Sequence, residues 1–217
     1  TGFGLKDSIS NIVTKQYDQI FLYDVMTVYD SEADEEELKE LDQTLAAQPA
    51  VKGRLYAQQL DVDVSGSSGN KTIDSYLMIP ADSNSLDEYI TLSPRGSQER
   101  LSLGKDGVII TEKLSNLLGV EVGDSVKIKD SNGQVVEAPV SGISENYLFH
   151  FIYMSPETYW TLFGEASVPN VVMMNLNTDD SQQLDILSGA ILENDSVLRI
   201  SYSKDNGKTF SNMMESL

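Results

Sequence analysis

The sequence predicts an α+β fold in which an α/β unit is interrupted by an inserted, mostly β segment. A strand–helix–strand pattern occurs near the start of the chain and again near its end, which is the order of a split βαβ arrangement. Between the two patterns lie roughly 85 residues with short strands and frequent turn signals. The chain has 217 residues, of which 40% are hydrophobic, so it is long enough for one large domain or two small ones.

The first pattern is preceded by an amphipathic helix. Its apolar residues recur at helical spacing and are Leu5, Ile9, Ile12, Val13 and Tyr17. The segment Ile20–Tyr29 is rich in β-forming residues and predicts a strand, and the acidic run after it suits the first turn of a helix over residues 34–47. Two further strands, Val51–Ser65 and Lys71–Pro80, are joined by a turn at Gly66–Asn70.

The second pattern occupies the end of the chain. Asn170–Asn177 predicts a strand, and Asp179 predicts the N-cap of a helix whose buried stripe is Leu184, Leu187 and Ile191. Val197–Tyr202 predicts the last strand. Ser203–Leu217 predicts a helix that leads out of the domain.

The segment between the two patterns has its own short elements. Strands are predicted at Gly107–Ile110 and Ser125–Lys129, with a capped helix at Thr111–Leu118 between them. Asn132-Gly133 is a strong hairpin signal, and it predicts that Gln134–Ile143 returns as a strand.

Residues 145–164, ENYLFHFIYMSPETYWTLFG, predict an aromatic strand followed by a capped helix. In a strand, alternation places one set of aromatic side chains on a single face: Tyr147, Phe149, Phe151 and Tyr153. Ser155 predicts the N-cap of the next helix, Pro156 its first residue and Gly164 its end.

These elements divide the chain into two expected subdomains. Residues 1–84 and 166–217 form a split, ferredoxin-like α/β subdomain. Residues 85–165 form an inserted subdomain that is mostly β, with ends that we expect within about ten residues of these positions.

Composition excludes several classes of function. The net charge is −19 with no run of Lys or Arg, which excludes a nucleic-acid binder and disfavours an anionic membrane surface. The absence of cysteine excludes disulfides, thiol catalysis and Cys-ligated metal sites. No apolar run reaches the roughly 18–20 residues that span a bilayer. Because the first residue is Thr1 and no signal peptide is present, we expect the chain to be an excerpt of a longer protein.

Catalytic motifs are incomplete in this sequence. His150 is the only histidine, and its place in the aromatic strand favours a packed or edge residue over a catalytic base. Ser201–Lys204 matches an SxxK spacing but lacks the companion motifs, and Ser203 as a helix cap explains this segment better. A P-loop is absent. We therefore expect no catalytic residue and no cofactor.

A possible calcium loop is also incomplete. Asp61–Gly66 resembles the beginning of such a loop, but Thr72 occupies the twelfth position, where a bidentate Glu is needed. The valines between the acids are typical of a strand whose carboxylates face solvent. We therefore expect no metal site.

Two segments of the sequence resemble a known protein family. VIITEKLSNLLGVEVGDSVKIKDSNG and ENYLFHFIYMSPETYWTLFG resemble the extracytoplasmic domain of MacB/FtsX-type ABC transporter permeases, especially those of Gram-positive bacteria. The resemblance implies that the split subdomain is the porter-like part and the insert the sabre-like part. It also implies that the domain lies between two transmembrane helices of the cell membrane, on the extracellular side.

The same resemblance implies a function and partners. Such permeases work with a cytoplasmic ABC ATPase and form dimers, and their outer domains pass motion to an extracellular protein, peptide or lipid ligand. We therefore expect mechanotransmission or export rather than an enzyme. The alternative is a secreted or membrane-anchored ligand-binding or sensor ectodomain without an ATPase.

The expected partner-binding residues are aromatic side chains of the insert: Tyr147, Phe149, Phe151, Tyr153 and Trp160. Tyr and Trp are enriched at interfaces, and a small β-rich insert has limited interior for so many rings. The alternative is that all of them fill the core of the insert.

Overall fold

The structure is a computed structural model that describes residues 2–216, of Phe3 the backbone alone. Two compact units are present. The first comprises the chain up to Tyr56 and from Pro169 onwards, and the second comprises Ala57–Val168. Within residues 2–216, no helix combines the length and the apolar character that crossing a membrane requires.

The chain contains both helices and strands and is a mixed α/β protein. In order they are α1 (Gly2–Thr14), β1 (Val25–Tyr29), α2 (Glu35–Ala47), β2 (Val51–Gly66), β3 (Thr72–Pro80), β4 (Val108–Thr111), α3 (Glu112–Leu118), β5 (Ser125–Lys129), β6 (Val135–Ser144), β7 (Phe151–Tyr153), α4 (Pro156–Phe163), β8 (Val171–Leu176), α5 (Ser181–Leu192), β9 (Val197–Tyr202) and α6 (Ser203–Glu215). A π-helical segment, Lys15–Ile20, continues α1, so β1 begins five residues later than the predicted strand Ile20–Tyr29.

In the first unit the strands lie in the order β2-β8-β1-β9. β1 is antiparallel to both of its neighbours, with Val25 opposite Met174 of β8 and Tyr202 of β9. Helices α2 and α5 share one apolar core with this sheet. Its buried residues are Val25, Tyr29, Leu41, Leu45, Val172, Met174, Leu187 and Ile191. The predicted strands near the start and the end of the chain therefore pair directly in one sheet.

Acidic side chains cap both helices of this core. Asp34 Oδ1 accepts a hydrogen bond from the Glu37 backbone N–H at 2.9 Å, and this satisfies one free donor of the first turn of α2. For α5 the cap is Asp180, whose Oδ2 accepts from Gln183 N at 3.2 Å. The prediction of Asp179 as the cap was wrong by one residue, because the preceding turn is fixed by Thr178 Oγ1, which accepts from Asp180 N.

In the second unit the strands form a closed ring, in the order β2-β3-β7-β4-β6-β5 and back to β2. β2 pairs with β3 from Ala57 to Ser65 and with β5 from Asp63 to Gly66, both antiparallel. The pairs β3–β7 and β4–β6 are parallel, so the ring is a mixed sheet. A closed ring leaves no strand edge in this part of the chain.

Apolar side chains that point into the ring form the core of the second unit. They come from every strand, from Leu114 of α3 and from Tyr159 and Phe163 of α4. The strand residues are Val62, Val64, Leu77, Ile79, Val108, Ile110, Val126, Ile128, Val136, Ala138, Val140 and Ile152. The long connection before β4 is held to the ring by hydrogen bonds, among them Ser155 Oγ to the Gly104 carbonyl at 2.8 Å.

The observed division of the chain differs from the expected one at its first boundary. The sequence places the boundary after residue 84, whereas the second unit begins at Ala57. The reason is that β2 and β3 pair with each other and with strands of the insert, and strand periodicity does not reveal which strands pair. The second boundary, after Val168, lies three residues from the expected position.

The first and last helices form an antiparallel pair. Ser203 Oγ, at the start of α6, donates to the Tyr23 carbonyl at 2.8 Å. One turn later Gly207 packs so closely that a Cβ on it would lie 3.5 Å from Val13 Cγ1 and from the Tyr17 ring. As α6 advances, its contacts move to earlier residues of the chain, so α1 and α6 run antiparallel. A position between two membrane helices would place Thr1 and Leu217 on one side of the molecule, but both residues lie outside the described part of the chain.

We predict that Gly107→Ala destabilises the ring. A Cβ at Gly107 would lie 2.9 Å from Ser141 Cβ and 3.0 Å from the Pro139 carbonyl oxygen, and neither atom can move without shifting β6. We expect the free energy of unfolding to fall by about 1–3 kcal/mol in urea denaturation.

The control is Gly104→Ala, because a Cβ on Gly104 meets nothing within 4 Å. Its free energy of unfolding should stay within about 0.5 kcal/mol of the starting protein. Equal destabilisation by the two substitutions would contradict the close approach of β4 and β6 at Gly107.

Candidate functional site

The five predicted partner-binding residues do not share one surface. Trp160 is 60% exposed and Phe149 is 54% exposed, whereas Phe151 and Tyr153 are buried. Tyr147 is half-buried. The structure therefore leaves two exposed rings, each on a different element.

The predicted strand over residues 147–154 was wrong in its first half. β7 contains only Phe151–Tyr153, and Phe149 adopts a left-handed conformation with φ 65°. The turn is held by Asn146, whose Nδ2 donates to the carbonyls of Leu148 and Phe149 at 2.7 and 3.2 Å. The alternation of aromatic residues is the same whether or not the chain turns at Phe149, so the sequence pattern did not reveal the turn.

A row of aromatic rings runs from the buried strand to the exposed turn. Tyr153 stacks on Phe151 with ring centroids 5.6 Å apart, and Phe151 meets Phe149 edge-on at 6.4 Å. Tyr76 of β3 contacts both phenylalanines, at 6.1 Å from Phe149 and 5.5 Å from Phe151. The row positions the exposed Phe149 ring beside Tyr76.

Tyr147 is engaged in a different cluster. The Arg95 guanidinium lies 5.3 Å from the centre of its ring, and Arg95 Nη1 donates to its hydroxyl at 3.2 Å. Arg95 Nε also donates to Glu112 at 2.8 Å, and the Tyr147 hydroxyl donates to Glu145. These contacts hold Tyr147 in an ion-pair network of the protein itself.

Helix α4 turns Trp160 outward. Its caps agree with the sequence prediction: Ser155 Oγ accepts from Thr158 N at 3.1 Å, and Gly164 ends the helix with φ 75°. Tyr159 stacks on Phe163 at 4.7 Å, and both face the core of the ring. Because neighbouring residues on a helix point in different directions, Trp160 faces solvent.

A groove of about 540 Å³ lies on the outer surface of the second unit beside Phe149. The alternation of β2 sends Val62 and Val64 into the core and Asp61 and Asp63 outward. The groove is lined by Asp61, Val62, Asp63, Asp74, Ser75, Tyr76, Lys129, Asp130, Ser131, Phe149 and His150. It combines carboxylates with two aromatic rings and the single histidine of the chain.

The register of β2 and β3 builds this groove. Asp63 lies directly opposite Asp74, and Asp61 lies directly opposite Tyr76. On its other side Asp63 is opposite Lys129 of β5. The calcium-loop pattern in the sequence includes Asp61 and Asp63 but gives no sign of Asp74 and Tyr76. A hairpin through the predicted Gly66–Asn70 turn would have placed them on the same face.

The electrostatics of the groove reflect an excess of negative charge. The hydrogen bond with Asp74, followed by desolvation and by the charge of Asp74, raises the pKa of Asp63 above its ordinary value, while Lys129 opposes this rise. Burial, and then the positive charge of Lys113, lower the pKa of His150. The described residues offer no hydrogen-bond partner to His150 Nδ1, which is buried.

The other segments that the sequence singled out have structural roles. Ser203 is the first residue of α6 and donates to the Tyr23 carbonyl, so its prediction as the helix cap was wrong. Ser201 Oγ accepts from Asn206 Nδ2 at 2.7 Å, and Lys204 is exposed. Among residues 2–216, no group of three His, Cys, Asp or Glu side chains is arranged to hold a metal ion.

Comparison with known proteins gives structural likenesses only. No protein-family model matches the chain, and no curated protein matches it. The periplasmic region of MacB from Actinobacillus actinomycetemcomitans is similar with a TM-score of 0.48 and 13% identity, over 88% of this chain and 94% of that one. The extracellular domain of the ABC-type transporter YknZ from Gram-positive bacteria is similar with a TM-score of 0.46 and 12% identity, over 81% and 99%.

We predict that Trp160→Ala leaves stability almost unchanged. Because the side chain is 60% exposed, its removal should alter the free energy of unfolding by less than about 0.5 kcal/mol. The matched substitution of the neighbouring buried ring, Tyr159→Ala, should cost about 3–5 kcal/mol. In the starting protein, tryptophan emission should be red-shifted and quenched by acrylamide. Blue-shifted emission that acrylamide does not quench would contradict the outward orientation of Trp160.

We predict that Asp63→Asn and Asp74→Asn each stabilise the protein at neutral pH, because each removes one of two opposed negative charges. The pKa of Asp63 is higher in the folded than in the unfolded chain. Its contribution to stability is therefore present below the unfolded pKa and lost as pH rises through the folded pKa. The advantage of each variant in urea denaturation should shrink as the pH falls from neutral towards about pH 4. Asp106→Asn, an exposed acid outside the groove, is the control; a similar pH-dependent advantage for it would refute the pairing.

Proposed function

We propose that this chain is the extracellular domain of an FtsX-like ABC transporter permease. In this role it couples ATP hydrolysis by a cytoplasmic ATPase to a partner or ligand outside the cell, by mechanotransmission or export. The full-length protein is then embedded in the cell membrane, and the permease is a dimer. The role requires no catalytic residue in this domain.

The observation that carries the proposal is the antiparallel pair of α1 and α6. A domain inserted between two membrane helices must leave and re-enter the membrane on one side. The contacts of Ser203 with Tyr23 and of Gly207 with Val13 make the two helices antiparallel, so that both extend in the same direction from the domain, as this requires. Motion of one helix against the other would be passed directly to β1 and β9, because these strands are neighbours, β1 follows α1 and β9 leads directly into α6.

The division into two units supports the same proposal. The strand order β2-β8-β1-β9, with β1 antiparallel to both neighbours, agrees with a split ferredoxin-like subdomain of the porter type. We assign the closed strand ring of Ala57–Val168 to the sabre-type subdomain. The partner-facing residues in this proposal are the exposed aromatic rings Phe149 and Trp160.

The first test is the location of the domain in the cell. We predict that Asp106→Cys in the full-length gene product reacts with a membrane-impermeant maleimide in intact cells. Asp106 is exposed, and the 217 residues contain no cysteine, so labelling above that of the unsubstituted protein reports this position. Labelling only after the membrane is permeabilised would refute an extracellular location.

The second test separates the permease from an ectodomain that works without an ATPase. The full-length protein, purified in detergent from its own host, should retain an ABC ATPase subunit with measurable ATP hydrolysis. If the full-length membrane protein is purified in this way without any ATPase subunit, the result would favour the sensor or ligand-binding alternative.

A further inference from the structure

We propose that the groove beside Phe149 binds a Lys or Arg side chain from an extended segment of a partner protein. The inference rests on the proposed function only in requiring that this partner lie outside the cell. Its binding chemistry is carried by the groove itself.

Charge is the first argument. Asp61, Asp63 and Asp74 point outward from two neighbouring strands, and Asp130 lies at the same groove. Lys129 is the one cation among the lining residues. Like charges directly opposite one another destabilise a strand pair, so the Asp63–Asp74 arrangement gains stability when a cation lies between or beside the two carboxylates.

The aromatic wall is the second argument. Phe149 is 54% exposed, and its ring lies 6.1 Å from that of Tyr76, which also lines the groove. The faces of aromatic rings attract ammonium and guanidinium groups, and a carboxylate alone does not distinguish such a group from a hydrated metal ion. Rings next to carboxylates therefore favour an organic cation.

The histidine adds no positive charge to the groove. Burial lowers the pKa of His150, so the ring is neutral at physiological pH. A neutral ring leaves Lys129 as the one positive side chain among the lining residues, so His150 does not repel a bound cation.

Size and charge together point to a protein segment. The groove of about 540 Å³ is larger than one ammonium group requires, and its lining extends over β2, β3, the end of β5 and the turn at Phe149. A second copy of this chain is disfavoured, since each copy carries a net charge of −19. An extended basic segment places one cationic side chain among the carboxylates while its backbone follows the open length of the groove.

The experiment uses the 217-residue chain and two synthetic peptides of equal length. Tetra-arginine amide is the probe, and tetra-citrulline amide, which has the same shape without the charge, is the control. His150 and Trp160 are the only histidine and the only tryptophan, so the imidazole Hε1 signal and the indole N–H signal each come from one residue and need no further assignment. We expect the arginine peptide to shift the His150 signal and to leave the exposed Trp160 signal in place.

Matched variants locate the binding. Asp74→Asn and Phe149→Ala should each weaken binding of tetra-arginine by about threefold to tenfold. Asp106→Asn removes an exposed acid outside the groove, and Leu198→Ala removes an exposed apolar side chain outside it; both should bind like the starting protein. Circular dichroism and the melting temperature show whether each variant is folded, and a variant that is not folded is replaced by Asp61→Asn or Tyr76→Leu.

Three results would overturn the inference. Tetra-citrulline could shift the His150 signal as strongly as tetra-arginine, which would mean that charge plays no part. Asp106→Asn could weaken binding as much as Asp74→Asn, which would indicate attraction by the total charge alone. Millimolar calcium could itself shift the His150 signal and displace the peptide, which would identify a metal site instead. None of these results affects the maleimide labelling or the ATPase test, so the two proposals fail separately.

Discussion

The rest of the structure depends on the pairing of one long strand, β2. Its 16 residues contribute to both units: Val51 and Tyr56 pack against the core of the first, and Val62 and Val64 lie in the core of the second. Pairing with β3 and β5 closes the ring. The same alternation that buries the two valines turns Asp61 and Asp63 outward, so closure of the core and formation of the groove follow from a single register.

Local signals in the sequence predicted local structure well. Ser155, Pro156 and Gly164 define α4 as expected, and Asn132-Gly133 joins β5 to β6 in an antiparallel pair with Gly133 at φ 84°. These signals act through a few neighbouring residues. The boundary at Ala57 could not be read in this way, because it depends on which distant strands pair with β2. The turn at Phe149 depends on the Asn146 side chain, and alternation of apolar residues does not record it.

The candidate site was predicted only in part for the same reason. Exposure of Trp160 agrees with its position beside a buried ring on a short helix, yet three of the five expected residues are buried or engaged elsewhere. The groove joins residues of the β2–β3 hairpin to residues at the end of β5 and in the turn before β7, which come much later in the chain. Asp61 and Asp63, which the sequence does not complete into a calcium loop, lie opposite Tyr76 and Asp74. This placement is set by the register of β2 against β3, and no sequence motif records it.

The split of the first unit has a consequence for synthesis of the chain. β1 ends at Tyr29, but its partner β8 begins only at Val171, so about 140 residues must be made before the pair can form, which takes roughly 7–28 s at ordinary translation rates. The second unit can close during this interval, since all of its strands after β2 precede Val171. During this interval β1 has no neighbouring strand and must stay soluble. The seven acids from Asp30 to Glu40 follow β1 directly, and charge repulsion between such segments on different unfinished chains opposes aggregation.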